Sequence, residues 1–251
     1  MTADTMIEVR DLSILFPLYH GNSRSFKNLL ITAASGRLAK DRQHRVTVRA
    51  LSGIDFSLKS GERLGLIGSN GAGKTTLLRV LAGIYEPVAG VVRVNGTLNA
   101  LLDPTLGMHM ELTGRENILL RGLYNGLSKE QVKTLEDDVI EFAELSDFID
   151  LPVQIYSAGM VVRLGFALAT AIRPQILLMD EWFLAGDAGF LEKARRRLEE
   201  MVRSADAFVL STHNNDILVE WCTRALWLDN GRIRADGPVR EVVAQYVAAS
   251  A

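Results

Sequence analysis

Residues 63–76 read RLGLIGSNGAGKTT. The first five form a short apolar run, the pattern of a buried strand. It leads directly into Gly68-Ser69-Asn70-Gly71-Ala72-Gly73-Lys74-Thr75, which fits G-x-x-x-x-G-K-[ST]. Glycines allow positive φ, so consecutive amide groups can curl round a phosphate. In such a loop Lys74 reaches the β- and γ-phosphates of a nucleotide and the Thr75 hydroxyl binds Mg²⁺, with Thr76 completing the phosphate-binding set. The plainer alternative is a glycine-rich turn ahead of a helix. Context favours the phosphate loop, because the octamer follows a strand and opens a helix expected from residue 74 to about residue 82, capped by Gly83.

With 251 residues, 48% of them hydrophobic, the chain can bury a full core, as one large α/β domain or two small ones. A net charge of −2 argues against a globally basic nucleic-acid binder. The single Cys222 excludes an intrachain disulfide and fits a reducing compartment. The polar start, MTADTMIEVRDLS, is no secretory leader, and no run of 18 apolar residues exists. The expectation is a soluble, cytoplasmic protein that meets a membrane only from its surface. Charge is unevenly spread: residues 20–49 carry seven Lys/Arg against one Asp, and residues 111–150 carry ten acids against four bases. Within the basic stretch Phe26, Leu29, Leu30, Ala33 and Ala34 follow helical spacing. Either an ordinary solvated surface helix followed by a loop, or a basic amphipathic helix near anionic lipid, has that pattern.

Working outward from the loop, residues 6–10 and 54–58 alternate like strands. Residues 91–95 and 97–101 flank Asn95-Gly96 and read as a hairpin. Ser128-Lys129-Glu130-Gln131 is a capping box opening a helix with Val132, Leu135, Val139 and Phe142 on one face. Residues 176–179 and 207–210 are apolar strands, and LWLDNGRIRADG (226–237) is a hairpin turning at Asn230-Gly231. Parallel-type strands alternating with helices give an α/β fold, and the hairpins near both ends add an antiparallel portion.

Three further stretches bear on chemistry. Residues 176–181, ILLMDE, place two carboxylates at the end of a buried strand. Asp180 is positioned for a Mg²⁺ shell and Glu181 for polarising an attacking water; a pair of acids capping a helix is the alternative. His213, ending the next strand in STHN, stands where it can meet a γ-phosphate, whereas His20, His44 and His109 show no metal-ligand spacing. Residues 156–174 read YSAGMVVRLGFALATAIRP, a helix expected over 160–172 and entered through Ser157-Ala158-Gly159. Helix N-termini present unpaired amide groups and partial positive charge, and small residues there let an anion approach closely.

The order of phosphate loop, YSAGM, ILLMDE, LAGD and STHN resembles the nucleotide-binding subunits of ABC transporters, over essentially residues 6–247. YSAGM occupies the slot of the family signature, usually LSGGQ, keeping Ser157 and Gly159 but carrying Ala158 and Met160. Asp187 matches the D-loop aspartate, Glu181 the catalytic base and His213 the switch histidine. YS-x-GM, the long insertion at residues 19–49, LTGREN at residues 112–117 and DEWFLAGDAGFLEKARRRL at residues 180–198 are similar to the ATP-binding subunits that export bacterial polysaccharides such as O-antigen, capsule or teichoic acid. The resemblance implies a P-loop NTPase (RecA-like) core with an antiparallel β subdomain and a helical signature subdomain at about residues 104–172. A single ATP-binding domain over residues 1–251 is expected: some sugar-export subunits add a C-terminal carbohydrate-binding domain, and the stretch after NGRIRADG is too short for one. ATP and Mg²⁺ are the implied ligands and ATP hydrolysis the activity. The implied assembly is a head-to-tail homodimer with two ATP molecules sandwiched between the copies, the signature helix of each lidding the ATP of the other. The implied partner is a transmembrane permease and not a nucleic acid, and the implied seat is peripheral, on the cytoplasmic face of the inner (cell) membrane.

Two departures stand out. The usual Q-loop glutamine is absent: LLDPTLGMHM (101–110) puts Asp103-Pro104 in its slot, with Asp103 as a candidate oxygen donor to Mg²⁺ or water. No aromatic residue precedes Ala50-Leu51 to stack on adenine, which leaves Arg49, His44 and Tyr19 as candidates. Other readings are an ABC ATPase moving a different substrate, a soluble ABC ATPase acting on DNA or ribosomes, and a P-loop kinase. The interval of about 105 residues between the phosphate loop and ILLMDE leaves no room for a long coiled coil of the DNA-repair type, and a kinase has no use for YSAGM or LAGD.

Overall fold

The computed structural model of the chain describes residues 4–17, 38–40, 46–103, 107–181 and 188–250. The expected basic surface helix, Tyr19, His44 and Asp187 lie outside the described residues. Chain order is β1 (Thr5–Pro17), β2 (Leu38–Lys40), β3 (Val46–Lys59), β4 (Arg63–Ile67), α1 (Lys74–Leu81), β5 (Ala89–Val94), β6 (Leu98–Leu101), α2 (Gly114–Tyr124) and α3 (Lys129–Ala143). Then follow α4 (Ala158–Thr170), β7 (Ile176–Asp180), α5 (Ala188–Ser204), β8 (Ala207–Ser211), α6 (Asn215–Trp221), β9 (Arg224–Asp229), β10 (Arg232–Pro238) and α7 (Val239–Ser250). Two compact units divide them: Met1–Leu98 with Leu178–Glu181 and Asp206–Ala251, and Asn99–Leu177 with Trp182–Ala205. No helix among the described residues is long and apolar enough to cross a membrane.

The first unit begins with an antiparallel sheet in the order β2-β3-β1-β5. Ile7, Val9, Leu12 and Ile14 are buried, so the inward phase slips by one residue between Val9 and Leu12. The slip is a bulge at Asp11, whose φ is 45°, opposite Gly53 at 58°. Asp11 N donates to Asp55 Oδ1 at 2.9 Å and Gly53 N to Ser13 Oγ at 3.2 Å, so the interrupted ladder keeps its donors paired. Bulges break period-two alternation, which is why only residues 6–10 and 54–58 read as strands. The expected hairpin over 91–101 does not form. Asn95 continues along β1, its N donating to Met6 O at 2.8 Å and its Nδ2 to Thr5 O at 2.8 Å. A type I′ turn needs positive φ at both central residues; Gly96 has it (130°) and Asn95 does not. β5 therefore stays in this sheet, and β6 belongs to the other.

In the second sheet β4 pairs in parallel with β8 and β9, β7 lies beyond β8, and β10 pairs antiparallel with β9. The expected turn is present at Asn230-Gly231, with φ of 50° and 75°. Residues 176–179 are each 0% exposed, and residues 207–210 at most 1%. Both strands were expected as buried runs, and burial worth about 2 kcal/mol per large apolar side chain fixes their place. α1 packs against β3, β5 and β8.

The second unit carries α2 to α5. Phe142 of α3 stacks on Phe166 of α4 at 5.7 Å, and Phe190 of α5 meets both edge-on. Arg197 lies over the Phe142 ring at 4.4 Å while its fork also binds Asp138. α3 starts in the expected Ser128/Gln131 capping box. A second box, Thr113 with Glu116, starts α2 inside LTGREN. Asn117, 3% exposed, ties down the loop before it. Its Oδ1 accepts from His109 N at 2.7 Å, and its Nδ2 donates to His109 O at 3.0 Å and Thr113 O at 2.9 Å.

Asn117→Ala leaves the amide and carbonyl of His109 without these partners, at about 2 kcal/mol. Hydrogen exchange should show faster exchange at the His109 amide, together with a lowered unfolding midpoint. Wild-type protection there would show that other groups hold the loop.

Candidate functional site

The phosphate loop joins β4 to α1. Gly68 and Gly73 have φ of 152° and 114°, and neither has room for a side chain. A Cβ would stand 2.2 Å from Leu228 O at the first and 2.8 Å from Leu51 Cδ2 at the second. The Asn230-Gly231 turn braces the loop from outside: Gly231 N donates to Ala72 O at 3.0 Å, and Gly231 O accepts from Ser52 N at 2.8 Å. Sequence reading found the turn but not this role, because the contact joins segments far apart in the chain and leaves no local signal.

Lys74 is 7% exposed. Its Nζ donates to Gly68 O at 2.7 Å and Ser69 O at 3.3 Å. Burial holds its pKa below the ordinary lysine value of 10.5, and the charges of Asp180 and Glu181 oppose that shift only in part. Ser69, Asn70, Gly71 and Thr75 are exposed, Ala72 is buried and Thr76 half-buried. Asp180 closes β7, half-buried.

Glu181 follows with φ of 46°, the left-handed region that costs a non-glycine residue about 1–2 kcal/mol. Its N donates to Ser211 O at 2.7 Å, holding the strained turn against β8. His213 Nε2 lies 3.0 Å from Glu181 Oε1, a distance that fits a hydrogen bond donated by the ring. The rest of STHN fixes the histidine's backbone. Asn214 N donates to Thr212 Oγ1 at 3.1 Å, and Asn214 caps α6 by accepting from Asp216 N and Ile217 N.

The first unit thus brings together the loop residues Gly68 to Thr76, Asp180, Glu181 and His213. A buried ammonium over a glycine loop, an exposed Thr75 hydroxyl and a carboxylate at the strand end fit a nucleotide triphosphate with Mg²⁺, for which Thr75 and Asp180 are the candidate ligands. Ser157, Gly159 and Asp103 belong to the second unit. Ser157 is the N-cap of α4 and accepts from Met160 N at 3.3 Å, so the helix starts at Ala158, two residues earlier than expected. Residues 157–159 are exposed, and a Cβ on Gly159 would meet only Ser157 Oγ at 4.0 Å among the described residues. Asp103 is exposed just beyond β6, and Arg49 is exposed on β3.

The ABC transporter family model matches residues 51–184. The O-antigen export system ATP-binding protein RfbE of Yersinia enterocolitica is 41% identical over 230 residues, 91% of this chain and 96% of that protein. A solved ATP-binding subunit of an ABC transporter superposes with a TM-score of 0.69 at 24% identity, covering 98% of this chain and 95% of the other. The ATP-binding cassette MJ0796, in a dimeric post-hydrolysis state bound to ADP and Pi, gives 0.67 at 19% identity, covering 94% and 99%. The fold shared with these structures is the P-loop, RecA-like ABC ATPase fold, with mixed sheet and helical subdomains.

The depressed pKa of Lys74 has a measurable consequence. A phosphate over the loop adds negative charge and raises that pKa again, so nucleotide binding takes up protons in the alkaline window between the depressed value and 10.5. Calorimetry in buffers of different ionisation enthalpy should show the uptake at the alkaline end, and Lys74→Met should abolish it. Uptake unchanged in Lys74→Met would assign the proton elsewhere.

Proposed function

The chain belongs to the ABC transporter family of ATP-binding subunits, and from that premise we propose that it powers export of a lipid-linked cell-surface polysaccharide through a separate transmembrane permease. The observation that carries the substrate class is the 41% identity, over nearly the whole of both chains, to an O-antigen export ATP-binding protein. The chain is an ATPase of that family, with ATP as substrate and Mg²⁺ as cofactor.

The chain's own groups divide the work. Loop amides and the Lys74 ammonium hold the β- and γ-phosphates. Thr75 and Asp180 would hold Mg²⁺, which would supply positive charge against those phosphates. Glu181 takes a proton from the attacking water as the bond from the γ-phosphorus to its bridging oxygen breaks. His213, whose Nε2 lies 3.0 Å from Glu181 Oε1, stands against that carboxylate and faces the γ-phosphate. Asp103, in the slot where the family carries glutamine, is the candidate oxygen donor to Mg²⁺ or water.

Ser157 and Gly159 act on the ATP of a second copy. What supports this is the open space round Gly159: no packing among the described residues demands glycine there, whereas an anion approaching the α4 terminus does. Two copies arranged head to tail then share two ATP molecules, and Asp187, matching the family's D-loop aspartate, is a further candidate for binding them. Hydrolysis removes the shared charge and releases the pair, which is the switch coupled to transport. The subunit works at the cytoplasmic face of the membrane, docked on its permease.

In the native cells, Lys74→Ala should abolish surface polysaccharide and leave lipid-linked glycan inside, as scored by surface staining and lipid extraction. Normal surface polysaccharide would refute the export assignment. Glu181→Gln should cut turnover by about 100-fold or more and accumulate an ATP-bound dimer in size-exclusion chromatography; normal hydrolysis would remove Glu181 as the base.

A further inference from the structure

Ser211 ends β8 fully buried, at 0% exposure, and its Oγ has no hydrogen-bond partner among the described residues. A buried, unpaired hydroxyl costs stability, and its place decides what it is for. On one side Ser211 pairs with Leu66 of β4, while the preceding pair is Leu210 with Gly65. A Cβ on Gly65 would lie 2.8 Å from Leu218 Cδ2, so α6 covers the face of Gly65 and Leu210. Period-two alternation turns Leu66 and Ser211 to the opposite face. On the other side β7 is the neighbour of β8 and Glu181 N donates to Ser211 O, so Asp180, the residue before Glu181, ends its strand next to Ser211. α1 packs against β8, and its Lys74 ammonium feels the charge of Asp180. The hydroxyl therefore sits at the rim of the phosphate site, between the strand that feeds the loop and the strand that ends in Asp180.

We propose that Ser211 is a positioning residue whose hydroxyl takes the Asp180 carboxylate as its hydrogen-bond partner when Mg²⁺–nucleotide is loaded, fixing which carboxylate oxygen faces the metal. A serine Oγ can rotate to donate without moving the strand. Partners behind a metal ligand commonly change metal affinity by about 10- to 100-fold. The hydroxyl thus costs a little stability while unpaired and would gain the Asp180 carboxylate as its partner with Mg²⁺–nucleotide bound.

The inference rests on Asp180 as the metal-side carboxylate, and the test separates the two. ATP binding is titrated against free Mg²⁺ by calorimetry, in a Glu181→Gln background that prevents turnover, and melting is followed without nucleotide. Ser211→Ala should melt at the wild-type temperature or above it, bind Mg²⁺-free ATP as before, and need about tenfold more Mg²⁺ for half-maximal tightening of ATP. An unchanged Mg²⁺ requirement in Ser211→Ala, with Asp180→Asn raising it, overturns the inference alone. An unchanged requirement in Asp180→Asn as well overturns the metal assignment and the inference with it. A lowered melting point with Mg²⁺-free and Mg²⁺-bound affinity weakened alike would make Ser211 merely structural.

Discussion

The ammonium of Lys74 sits under its own loop, donating to the carbonyls of Gly68 and Ser69, and the rest of the first unit is arranged round that contact. Taking a cation out of water costs several kcal/mol unless its donors are paired and opposite charge stands near. Both conditions are met here, by backbone carbonyls and by two acids at the end of β7. The carbonyls are available because Gly68 and Gly73 turn the chain through positive φ where any side chain would strike backbone or Leu51. Buried runs in β4, β7 and β8 set the acids at the same sheet edge. Burial still holds the ammonium's pKa down despite those acids, and a polyphosphate over the loop brings further negative charge to it.

Compensation by one chain is incomplete in the other direction. A triphosphate carries more charge than one lysine, one loop and one metal ion neutralise, and the remaining positive ends of dipoles must come from elsewhere. The α4 terminus has the required character, with an N-capping serine, a bare first turn and a glycine that its own neighbours do not demand. In the head-to-tail pairing proposed above, two such termini meet two phosphate loops and nucleotide is the bond between copies, so the chemistry that destroys the nucleotide also breaks the pair. On that proposal, the subunit's part in transport is this alternation, passed on to a permease.

Much of this was legible before any coordinates. The octamer at 68–75, the apolar runs at 176–179 and 207–210, the Ser128 capping box and the Asn230-Gly231 turn all write their structure into adjacent residues. Failures fell where a distant partner decides. Asn95-Gly96 has the composition of a hairpin, yet Asn95 pairs with residues 5 and 6, and no local pattern reports that. The bulge at Asp11 and Gly53 scrambled the alternation of two long strands. LTGREN served only as a likeness, although T-x-x-E was itself a capping box in plain view, and the knot tied by Asn117 needed the fold to appear. Ser211 could not have been singled out at all, since an orphaned hydroxyl exists only once its neighbours are known.

Shared ownership of the site is most directly tested by the ATP hydrolysis rate per protomer as the protein is diluted, with the assembly state followed in parallel. A rate that climbs with protein concentration and tracks nucleotide-dependent pairing is expected. A rate that stays flat down to the lowest concentrations, from protomers that never pair when ATP is present, would contradict it.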